Sequence, residues 1–135
     1  MNANPHIFTK LTLGAAGLIS LIVGLTIAFA PHALFGSAGV SLPDNASLLS
    51  EIRTPGVFLI AIGGYLIFAA LRGASLVVPL TVSVVLFGAY AAGRVLSFAA
   101  DGMPAQSLLM AFGVEALIAG ICLIALKTEK SRLAL

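Results

Sequence analysis

Residues 55–93 read PGVFLIAIGGYLIFAALRGASLVVPLTVSVVLFGAYAAG, two long apolar runs broken by one charge, Arg72. A helix rises about 1.5 Å per residue, so about 20 mostly apolar residues cross the roughly 30 Å of bilayer hydrocarbon. The runs at 55–71 and 73–93 are both within range of that length. Only Arg72-Gly73 separates them, which predicts a tight helical hairpin. Neither run alternates apolar with polar residues, as a barrel strand would. Helices are also the form that satisfies every backbone group inside lipid.

Two more runs flank this pair. Residues 11–30 carry no charge, and residues 103–126 carry only Glu115. The third run extends past Arg94 through the apolar residues 95–100. The expectation is an all-α integral membrane protein. Its single domain is a four-helix bundle with spans at about residues 10–30, 54–72, 74–99 and 104–126. Ala28-Phe29-Ala30 resembles a signal-peptidase site, but the first run exceeds a signal core of about 7–15 residues. Pro31 would also follow the cut directly, so the first helix is read as uncleaved.

Composition agrees. Of 135 residues, 60% are hydrophobic and 9% charged, with a mean hydropathy of +1.14. Soluble domains average about 45–50% apolar and about 25% charged, so this chain lacks the polar surface to coat a water-soluble globule. The net charge of +2 arises from few charges overall. Lys10, Arg53, Arg72 and Arg94 stand apart and only Lys127, Lys130 and Arg132 group, which excludes a nucleic-acid surface. One cysteine, Cys122, allows no internal disulfide and reads as core filler. No cofactor motif is present.

Basic residues favour the cytoplasmic side of a membrane. Lys10, Arg72 and the 127–132 tail all fall on one side of a four-span chain. The 31–50 connection has no Lys or Arg, and the 101–104 connection carries only Asp101. The expected orientation is N-in and C-in, in a bacterial inner membrane. In the long first connection, residues 43–50 begin with N-cap chemistry and suggest a short surface helix. Pro55 either starts the second span or kinks a longer helix. Small residues spaced four apart suggest close helix packing: Ser20, Gly24 and Ala28; Gly88 and Ala92; Ala116 and Gly120.

The candidate site is a polar intramembrane cluster of Glu51, Arg53, Tyr90, Arg94, Asp101 and Glu115. Helical rise places Arg94 about 9 Å below the outer boundary and Glu115 about 16 Å deep, so their side chains could meet. Tyr90 lies one turn before Arg94 and shares its face. A lone charge at mid-bilayer costs at least about 2.5–3.5 kcal/mol, so Glu115 must be protonated, paired or beside water. The cluster is then either a ligand or proton site or a lock that fixes the helices. His6 and His32 read as solvated surface residues without a carboxylate partner, and Thr81 and Ser83 as bonded to their own helix.

Glu51-Ile52-Arg53, Gly93-Arg94, Asp101-Gly102-x-Pro104 and Glu115, set on four apolar spans, resemble an uncharacterised bacterial family of small integral membrane proteins. That family is known only as a domain of unknown function. The resemblance implies four helices in the inner membrane and implies no reaction. Three functional classes follow from the residues. The first is an accessory protein that packs on a membrane-protein partner or a second copy of itself. The second is a module binding or transporting a small apolar or amphipathic ligand near Arg94 and Glu115. The third, a membrane enzyme, lacks any visible catalytic constellation and is set aside. The sequence favours the first. The lipid bilayer is the one partner that all three share.

Overall fold

The computed structural model describes residues 5–73 and 75–134, and among these every regular element is a helix. There are five: α1 (Pro5–Phe29), α2 (Pro31–Ser37), α3 (Ala46–Arg72), α4 (Val77–Asp101) and α5 (Gln106–Leu133). All but α2 are long and apolar enough to cross a membrane. Their outward faces carry exposed Leu11, Phe68, Leu96, Met110 and Ile124. Helices apolar on every side suit lipid as solvent. Ala74, the expected start of the third span, lies outside the described residues.

The first connection departs from expectation. Residues 46–50 do not form a separate surface helix; they are the first turns of α3. Asn45 caps them, its side chain accepting from Leu48 N at 3.0 Å. Pro55 therefore lies inside one continuous helix. A proline leaves one carbonyl of the preceding turn without its usual donor, and nearby Ser or Thr hydroxyls help to re-satisfy such a turn. Here the Thr54 hydroxyl donates to Ser50 O at 2.8 Å, next to the Glu51 carbonyl that Pro55 leaves without its donor. The helix that does form in the connection is α2, which opens on buried Pro31 at its first position.

Packing follows stripes at spacings of three and four. On α1 the stripe is Thr9, Leu13, Ala16, Ser20, Gly24 and Ala28, buried along the whole helix. On α3 it is Gly56, Leu59, Gly63, Leu66 and Ala70. The two run antiparallel in close contact, Gly17 facing Gly63 and Gly24 facing Gly56. Glycine is required at these crossings, because a Cβ on Gly24 would stand 2.7 Å from Gly56 O and Ile60 N. Buried Ser20 adds a hydrogen bond across the seam, donating to Leu59 O at 3.0 Å. The Ser20, Gly24 and Ala28 expectation holds. At Gly88 and Gly120 an added Cβ meets nothing within 4 Å, so those two small-residue pairs mark no close approach.

The other pair, α4 and α5, shares a buried core with the first at one end, while at the other Ser107 of α5 donates to Ser37 O of α2 at 3.4 Å. Leu13, Leu66, Ala70, Leu76, Leu80, Ala125 and Leu126 form a core where both termini and the α3–α4 connection meet. Ala16, Phe87 and Cys122 continue it, with Cys122 wholly buried as core filler. Beyond that level, α4 buries nothing after Phe87 and α5 buries nothing before Cys122. The two helix pairs part there. Between them lies a cavity.

Candidate functional site

Arg94 on α4 and Glu115 on α5 meet in a two-bond fork. Nε donates to Oε2 at 2.6 Å and Nη2 to Oε1 at 2.8 Å. Their side chains are 25% and 15% exposed, which shields the pair from most of its surroundings. A fork of this kind fixes orientation as well as distance. One turn beyond Arg94, the Phe98 ring meets Phe112 edge-on at 5.5 Å between centroids. These two contacts tie together helix halves that otherwise bury no side chain.

Glu115 also lines the cavity between the helix pairs. Its walls include Ile19, Val23, Leu59, Phe87, Tyr90 and Val114, so all four long helices contribute. The volume is about 180 Å³ and the surface is formed almost wholly by carbon. Tyr90 and Glu115 thus contribute mainly their apolar atoms to it. Arg94 does not line the cavity; it abuts it through Glu115.

The six expected residues do not form one cluster. Arg94, Glu115 and Tyr90 gather at the cavity edge. Glu51 is exposed and makes no ion pair with any described residue, so no Glu51–Arg53 pair exists. Arg53 instead donates through Nη1 to Ala28 O. It thereby satisfies a carbonyl in the last turn of α1, where a cation complements the helix dipole. Asp101 accepts from Ser97 Oγ at 3.2 Å on its own helix and is exposed. The separation has a simple cause: α3 begins at Ala46, so Glu51 and Arg53 belong to an α3 end paired with α1.

A second charged centre was not anticipated. Glu129 on α5 is 0% exposed, at the end where the helices converge. It accepts from Leu76 N at 3.2 Å, and Arg132 donates to both of its oxygens, at 3.1 and 2.7 Å. His6 Nδ1 lies 3.7 Å from the same carboxylate, which corrects the reading of His6 as merely solvated. His32 likewise has a carboxylate neighbour, Asp44, at 3.1 Å on the exposed side. Thr81 and Ser83 bond back to Val77 O and Pro79 O, as expected.

Leu76 is the N-cap residue of α4 and has no side-chain cap of its own. Glu129 therefore supplies, from another helix, the acceptor for the N-cap N–H that the third-residue Glu of a capping box would provide. Glu129→Ala should destabilise the protein by about 1–3 kcal/mol, because it strands a buried N–H. Glu129→Gln, which keeps an acceptor, should lose less. Unfolding in mild detergent measures both, and equal losses would contradict the capping role.

Residues 8–126 match the family described as a domain of unknown function, DUF4345. The chain belongs to the DUF4345 family. The match spans the four long helices down to Leu126, and includes Glu51, Arg53, Arg94 and Glu115. No curated protein and no solved structure matches this DUF4345 chain.

Proposed function

We propose that this DUF4345 protein is a multi-pass protein of the bacterial inner membrane, N-in and C-in. On this reading it binds a small apolar or amphipathic ligand and catalyses no reaction. The observation that carries the choice is the 180 Å³ cavity with carbon walls. An apolar cavity of about 150 Å³ in a soluble protein stays dry and takes up benzene. The cavity here is half open, and its carbon walls likewise favour an apolar guest over water. The orientation rests on Lys10, Arg72 and the basic tail, with no Lys or Arg in residues 31–50.

Two experiments test this. Reporter fusions at Asp44 and after Leu135 should signal outside and inside, respectively. An outside signal after Leu135 would overturn the orientation. For the ligand, toluene titrated into protein in lipid nanodiscs should shift the methyl resonances of Ile19, Val23 and Leu59 saturably. Ala111 also lines the cavity, and Ala111→Phe, which fills it, should abolish the shifts; unsaturable shifts in the natural protein would overturn the binding reading.

A second reading, an accessory protein packed on a partner or on its own copy, draws on α4 and α5. At Gly88, Gly93, Gly113 and Gly120 an added Cβ meets nothing, so these faces would admit a close helix neighbour. A stoichiometric protein in mild-detergent preparations, with no bound small molecule, would move the choice to it.

A further inference from the structure

We propose, building on that ligand reading, that the guest is a neutral amphiphile whose head is a hydrogen-bond acceptor. The carbonyl of an ester, ketone or quinone fits, held by Arg94 while the apolar part fills the cavity. Arg94 commits Nε and Nη2 to Glu115. Its other terminal nitrogen, Nη1, has no partner among the described residues, and the side chain keeps 25% of its surface exposed. A guanidinium carries five donors in a planar fork, so donors remain after Glu115 is served. They sit one ion pair away from a cavity wall, because Glu115 is both the partner of Arg94 and part of that wall.

The charge of the head follows from the same pair. Arg94 and Glu115 neutralise each other, so an anionic head would leave one uncompensated negative charge in a low-dielectric site. A cationic head would leave one uncompensated positive charge. A neutral acceptor leaves none, and it satisfies a donor that lipid tails cannot serve. Ser20, Tyr90 and Glu115 line the cavity, yet its surface is almost wholly carbon, so the head lies at the rim beside Glu115, the partner of Arg94. Tail inside and head at the rim is the arrangement of an amphiphile.

Octane and 2-octanone, matched in length, test the idea in nanodiscs of ether lipids, which contain no ester carbonyl. Methyl shifts of Ile19 and Leu59 report binding, with concentrations expressed per lipid. The ketone should bind at least about tenfold tighter than octane, the scale of a hydrogen bond to a charged group. Its carbonyl infrared band should also move to lower frequency. In the Arg94→Leu/Glu115→Leu double variant the preference should vanish. Equal binding of the two probes by the natural protein, with an unmoved carbonyl band, overturns the acceptor-head proposal while the cavity remains a binding site. Binding of neither probe overturns both readings. Repeating the titration in ester-lipid discs identifies the source of the head: weaker ketone binding there assigns the site to a membrane lipid, and unchanged binding assigns it to a free amphiphile.

Discussion

Gly63→Leu should separate α1 from α3 and destabilise the protein by about 3 kcal/mol or more, at the upper end of overpacking effects. A Cβ at this position would stand 2.7 Å from Gly17 O and from Leu21 N. Both obstacles are backbone atoms, so no rotamer change relieves the clash. Gly24 faces the same obstruction from Gly56 O and Ile60 N, and Gly24→Leu should act alike. In lipid the tails are as apolar as the helix faces, so close van der Waals packing holds helices together. A wider α1–α3 separation forfeits that packing along the whole seam, including the Ser20 hydrogen bond to Leu59 O. Unfolding of the reconstituted protein measures the loss.

The contrast lies on α4 and α5. Gly88→Ala and Gly120→Ala add a Cβ into open space. Alanine in a helix is favoured over glycine by about 0.5–1 kcal/mol, so these variants should be neutral or slightly more stable. A Gly63→Leu variant as stable as Gly88→Ala would refute the seam.

Which parts were legible in the sequence depends on how far each interaction reaches along the chain. Run length and the absence of charge are local properties, and they located the four long helices. Arg94 and Glu115 were legible as partners because their depths follow from helical rise alone, given a short turn between α4 and α5. The start of α3 was hidden, since Pro55 reads as a boundary although Asn45 supplies a sound cap eleven residues upstream of the buried stripe. The glycine seam was half legible. Four-residue spacing selected Gly24, whereas the crossings repeat about every two turns, at Gly17 and Gly24 against Gly56 and Gly63. Glu129 was illegible: it sits among Lys127, Lys130 and Arg132 in what reads as a solvated tail, and its backbone partner Leu76 lies 53 residues away. The cavity was illegible too, because it arises from where the α4 and α5 stripes stop.

Breaking the Arg94–Glu115 fork from one side should cost about 3–5 kcal/mol, the range for a buried pair deprived of one member. Arg94→Leu leaves a carboxylate among apolar neighbours, and Glu115→Leu leaves a guanidinium there. The double change to leucine strands neither charge and should recover most of that loss, since desolvation offsets much of a buried pair's attraction. If the double variant is no more stable than the summed single losses allow, the two residues are not coupled. Stability is only half of the expected result. Apart from the part-buried fork, α4 beyond Phe87 and α5 before Cys122 bury no side chain, so the fork and the Phe98–Phe112 contact set their register. The aromatic contact contributes about 0.5–1.5 kcal/mol beyond its buried area and tolerates sliding better than a two-bond fork does. Spin labels at Ala92 and Ala116, both exposed, should therefore report one narrow distance in the natural protein. In the double-leucine variant the mean should persist while the distribution broadens. A distribution as narrow as the natural one would show that apolar packing alone fixes the register, and would leave the retained charges to the ligand.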